Sequence, residues 1–274
     1  MLHRLSTLLR LASGAAALAF CSTAGAMPVV VTVTIENLAP TNSVSFAPLR
    51  LGFGNGTFDA FNNGQAATAP IISVAEGGSG SAWFPAFAAA APNAVLGSVG
   101  GALLPGATAS NSFVVDSSIN RFFTFGSMVI PSNDLFIGND SPTAFQLLDA
   151  SGALLISSIT QKGSAIWDAG SEVADPANAA FVQGGNNSLR TPQNGVVSFS
   201  FSELAAFNGV TTAAGYVYDN ALLAAGNDIY RISFAVSAVP EPSTYVLMGT
   251  GLLAIGWSTR RRRGGARMPG LAVA

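Results

Sequence analysis

The sequence predicts an all-β protein: an antiparallel β-sandwich of about eight strands, flanked by an N-terminal signal helix and a C-terminal hydrophobic helix. Three observations carry that expectation. Runs of β-branched and aromatic residues recur at strand length, clusters of Gly, Pro, Asn and Asp separate them, and no segment between the hydrophobic ends shows a comparably long helical period. The first run, Met27 to Asn37, is β-branched almost throughout and ends at the turn Asn37-Leu38-Ala39-Pro40. Similar runs follow at Ser112 to Asp116, Phe122 to Ile130, Ala144 to Leu148, Ala153 to Ile159, Gly195 to Phe201 and Asp228 to Val236. Ala66 to Val74 and Ala82 to Ala91 are Ala-rich and read as either short helices or wide loops, with a helical turn expected near Ile71 to Glu76. Gly52-Phe53-Gly54-Asn55-Gly56 reads as a flexible loop, because no helix start or Lys follows to make it a phosphate cradle.

Composition narrows the function classes. Only 9% of the 274 residues are charged, so the surface is dressed mainly with neutral polar groups. Between Met27 and Val239 the basic residues are Arg50, Arg121, Lys162, Arg190 and Arg231; thirteen carboxylates oppose these five cations, a formal charge of −8. No nucleic-acid partner is expected from such a balance. The single His3 and the single Cys21 both lie in the first 26 residues. The rest of the chain therefore has no Ser-His-Asp or Cys-His machinery, no imidazole or thiolate metal site and no disulfide.

The two ends read as export signals. His3, Arg4 and Arg10 precede an apolar run from Leu11 to Phe20, and Ala24-Gly25-Ala26 supplies small residues at a cleavage position, so residues 1–26 are expected to be a signal peptide. Phe20 before Cys21 argues against lipidation, which favours a small residue there. At the other end Pro240-Glu241-Pro242 is followed by an apolar run from Thr244 to Trp257 and by Arg260, Arg261, Arg262 and Arg263. The prolines stop the helix from extending backward and the arginines hold its far end at the cytoplasmic face. The run is shorter than the roughly 20 residues of a standard span. The block, residues 239–264 with a tail at 265–274, resembles the PEP-CTERM sorting signal. The resemblance implies a transient membrane helix, recognition by an exosortase-type membrane protease, and delivery to the envelope, outer surface or extracellular matrix of a Gram-negative bacterium.

Between these signals, residues 27–238, acids gather in turn-like sequence at Asp116, along Pro131 to Asp140, and from Trp167 to Glu172. A hard cation such as calcium takes six to eight oxygens, and loops at one end of a sandwich offer carboxylates and carbonyls together. The other reading of the same residues is solvated, turn-forming acids.

Met128 to Gly138, with Pro131-Ser132-Asn133-Asp134 at its centre, and Trp167-Asp168-Ala169-Gly170-Ser171-Glu172 resemble the paired signatures of the spondin N-terminal domain. Val33 to Leu38, Phe46 to Leu49 and Val74 to Gly78 fall in matching order. That resemblance implies an eight-stranded sandwich with a calcium site, used in adhesion and recognition. It assigns Asp134 and Asp168 as calcium ligands, with Asp116 the nearest acid for a third ligand on the preceding strand.

The expected function is a non-enzymatic, calcium-binding adhesion or matrix module that binds exopolysaccharide or a surface protein in a biofilm. Two other readings stay open: a polysaccharide hydrolase working with Asp134, Asp168 and Glu172, and a structural coat protein without a specific ligand.

Overall fold

The computed structural model describes residues 28–239, 247 and 249–255. The expected signal helix and the sorting-signal residues Pro240, Glu241, Pro242 and Arg260 to Arg263 lie outside them. Strand β1 (Pro28–Asn37) shows how the β-branched run folds: alternate residues are buried, with Val31, Val33 and Ile35 wholly inside. Its last inward residue, Asn37, is also buried. The Asn37 amide donates to the carbonyls of Val44 and Leu103 and accepts from the Ala39 amide, which satisfies a polar group inside the core.

After β1 come β2 (Ser45–Phe46), β3 (Leu49–Gly54), helix α1 (Ala69–Gly77), helix α2 (Trp83–Ala90), β4 (Val95–Val99), β5 (Thr108–Asp116) and β6 (Phe122–Ile130). The remaining strands are β7 (Leu135–Gly138), β8 (Ser158–Lys162), β9 (Trp167–Asp168), β10 (Ser198–Phe199) and β11 (Asp228–Ala238). One four-stranded sheet has the order β5-β1-β11-β8, and a seven-stranded sheet runs β10-β9-β7-β6-β3-β4 with β2 beside β6. All paired strands are antiparallel.

Apolar faces of the two sheets meet in one core. Phe123 of β6 packs edge-on against Phe234 of β11 with ring centres 4.9 Å apart, and Phe46 meets Tyr230 at 4.6 Å. The outer face of the seven-stranded sheet is covered as well. There α1 and α2 hold a second core of Phe58, Phe61, Ile71, Val74, Trp83 and Phe87 against Phe136 and Trp167. Strand β6 is consequently buried on both faces, which explains why Phe-Phe-Thr-Phe-Gly-Ser-Met-Val-Ile does not alternate.

The sandwich is thus a mostly-β, antiparallel fold with few helices, as the sequence predicts, and the Ala-rich stretches are helices. Three expectations need correcting. Gly52 to Gly54 is not a loop but the end of β3, paired with both β4 and β6. A side chain at Gly52 would collide with the ring of Phe87, at 2.3 Å, so glycine there admits α2 onto the sheet. Ala144 to Leu148 makes only isolated bridges, β8 overlaps the Ala153 to Ile159 run only at Ser158 and Ile159 and extends on to Lys162, and the Gly195 to Phe201 run shrinks to the short strand β10. Among the described residues no helix is long and apolar enough to cross a membrane; residues 247 and 249–255 are helical and exposed.

Gly52→Ala should lower stability by about 1–3 kcal/mol, because Phe87 and Leu96 have no room to move in a filled core. Urea unfolding measures this, and an unchanged midpoint would show that α2 does not press on β3.

Candidate cation site

The site begins where β6 turns back. The Ile130–Pro131 peptide is cis, and the Ser132 hydroxyl bridges the turn, donating to the Val129 carbonyl and accepting from the Leu135 amide. This places Asp134 at the head of β7, fully buried. Leu135 then pairs with Asp168 of β9, so two acids distant in sequence stand beside one another.

The loop after β9 closes over Asp134. Its Oδ2 accepts from the Ser171 amide at 2.8 Å, the Ser171 hydroxyl at 3.1 Å and the Glu172 amide at 2.9 Å. Asp168 Oδ1 accepts from the Gly170 amide at 2.6 Å. Gly170 sits at φ 63°, and a side chain there would strike the backbone of Val196 at 2.7 Å, so only glycine completes this turn. Buried Asn133 ties the two loops together, donating to Glu172 Oε1 at 3.0 Å and accepting from the Asp175 amide at 2.9 Å. Below them the Trp167 indole donates to the Gly138 carbonyl, and Phe199 stacks on its outer face at 3.7 Å.

A third acid enters from elsewhere. Glu203 projects from the 3-10 turn Phe201–Phe207, and ligand oxygens of Asp134, Asp168 and Glu203 all lie within 4.8 Å of one another. Asp116 is not one of them. It ends β5 in the other sheet, where its Oδ1 accepts from the amide and hydroxyl of Ser118. The sequence did carry a sign of Glu203: it is the one charged residue between Arg190 and Asp219, set in the apolar stretch Phe199 to Phe207.

Among the described residues no basic side chain answers the charge of this cluster. Arg50 donates to the Gly78 carbonyl and Ser98, and Arg121 to the Ser118 carbonyl. Lys162 pairs with Asp228, Arg190 with Glu76 and Arg231 with Glu36. Asp134 Oδ1 and Glu203 Oε1 are buried without a hydrogen-bond partner. Two unit charges at 4.8 Å repel by roughly 3–4 kcal/mol at an effective dielectric of about 20. Burial, reinforced by the charge of Asp168, accordingly pushes Asp134 up to about 7 against the pull of its hydrogen bonds. Burial, then the charges of Asp168 and Asp134, push Glu203 up to about 8. Protons relieve this repulsion, and three carboxylates so placed can also ligate a hard metal ion.

Residues 238–262 match the PEP-CTERM protein-sorting motif. No curated protein matches the chain. The chain is therefore a mostly-β protein with a sorting signal read by exosortase-type machinery. Such a signal directs sorting to the cell surface or extracellular space of Gram-negative bacteria.

Asp134 and Glu203 hold protons more tightly folded than unfolded. Without a cation they contribute stability that is complete below about pH 4 and is lost as pH rises through about 7 and about 8. In chelator, the denaturant midpoint should fall from about pH 5 to pH 8.5, and Glu203→Gln should flatten the upper part of the fall. A rising midpoint over that window would contradict the assignment.

Proposed function

We propose that this protein is an exported calcium-binding β-sandwich, a surface or matrix module that binds exopolysaccharide or another surface protein and has no catalytic role. The observation that supports cation binding is the convergence of three carboxylates, with two buried oxygens that lack a hydrogen-bond partner, while the five basic residues among the described ones are engaged elsewhere.

A ligand set made only of carboxylate oxygens suits a hard cation such as calcium, and the described domain offers no imidazole or thiolate to draw a softer metal. The resemblance of the Asp134 and Asp168 loops to the spondin N-terminal signatures adds weight, with Glu203 rather than Asp116 as the third ligand. Burial weighs against a polysaccharide hydrolase: Asp134 and Asp168 are 0% and 6% exposed, which leaves a sugar ring no approach, and Trp83 and Trp167 lie inside the second core.

Calorimetric titration of the full chain with calcium should give saturable heat and a higher melting temperature, worth about 2.7 kcal/mol at a hundredfold excess over Kd. Glu203→Gln should weaken binding at least tenfold, and Asp116→Asn should leave it unchanged. Absence of both heat and thermal shift would remove the metal from the reading. A panel of purified surface polysaccharides, tested with and without calcium, separates an adhesin from a coat protein with no ligand.

A further inference from the structure

Both ends of the described domain leave from one pole of the sandwich. Val29 of β1 pairs with Ala238 of β11, and Pro28 pairs with Asp116 at the end of β5. Residue 28 follows the expected signal peptide, and the matched sorting motif starts at residue 238, so the two exits stand side by side.

The acidic site occupies the opposite pole. Asp134 follows the Ile130 end of β6, and at that end Phe46, paired with Val129, meets Tyr230, paired with Asn37 at the far end of β1. From the same side, Lys162 pairs with Asp228 at the start of β11, and the short 3-10 turn Gly163–Ala165 leads directly into β9 and Asp168. The eleven residues of β11 separate the poles by roughly 35 Å.

Six residues lead from Ala238 to Thr244, where the apolar run begins, and they reach at most about 22 Å. That is shorter than the strand they extend. The described part of the run carries Leu247, Leu252 and Leu253 exposed.

We infer that, while the Thr244 to Trp257 run is held in the membrane, the pole formed by the start of β1 and the end of β11 faces the lipid surface. The buried Asp134, Asp168 and Glu203 cluster then lies at the far pole, away from the lipid. The inference rests on the export part of the proposed function and not on what fills the site. Because β11 lies between β1 and β8, the four-stranded sheet is completed only by the last segment before the motif. A cut after residue 239 removes none of its pairs with β1, so processing releases a finished domain.

Two single-cysteine chains running from Met27 to Ala274, which lack Cys21 and the apolar leader run, test the arrangement. Ser151→Cys lies at the exit pole, beside Gly152, whose Cβ would touch Val29. Thr41→Cys lies in the exposed turn that follows the far end of β1. A fluorophore on each is read in vesicles whose lipid headgroups carry a nitroxide quencher. Quenching at position 151 should exceed that at position 41 severalfold, and chains ending at Ala238 should lose it at both. Equal quenching, or more at position 41, overturns the orientation. A Met27 to Ala274 chain that does not bind the vesicles overturns the tether, and calcium titration of the same sample still reports on the site separately.

Discussion

Burial of the seven-stranded sheet on both faces is the constraint from which the rest of this structure follows. The described domain has no cysteine, so packing replaces cross-linking as the source of stability. One face of β6 fills the space between the sheets through Phe123, Phe125 and Val129, and its neighbours carry the other face into contact with α1 and α2. The helices are needed because an apolar outer face cannot be left to water, and Gly52 and Gly54 exist where Phe87 must come close. The same double burial withdraws β7 and β9 from solvent, and with them Asp134 and Asp168.

A cluster of acids in such a place has to be held by something other than water. Backbone amides of the loop after β9 supply part of it, and Asn133 locks that loop to the turn before β7. Hydrogen bonds to one oxygen of Asp134 leave the other bare, and Glu203 brings a further carboxylate rather than a partner. Desolvation and mutual repulsion then raise both acids, so the geometry is one that protons relieve and that could also hold a metal ion. The sheet order separates this site from the chain exits by the length of the longest strand, which joins the chemistry of the site to the route of export.

Much of the fold was legible because its signals are local. In β1 the side-chain period of two is visible in the residues themselves, and β6 and β11, of nine and eleven residues, are likewise long and rich in apolar residues. Strand β3 escaped because glycines, which weaken strand signals, are required there by a ring from a helix more than thirty residues later. The Ala144 to Leu148 run has strand-like residues, but its backbone groups are met by single bridges to Phe122 and Leu154 instead of a ladder.

The sequence by itself determined the C-terminal sorting signal, the absence of His and Cys from residues 28–239, the alternation of the long strands, and Asp134 and Asp168 as paired acids. Each of those is written in neighbouring residues. Tertiary structure alone decided that Glu203 and not Asp116 completes the cluster, that the basic residues among the described ones are spent elsewhere, and that the site and the exits lie at opposite poles. Those outcomes depend on which faces are buried against which, since a carboxylate's charge is compensated, or left bare, by groups brought to it across the sheets and not along the chain.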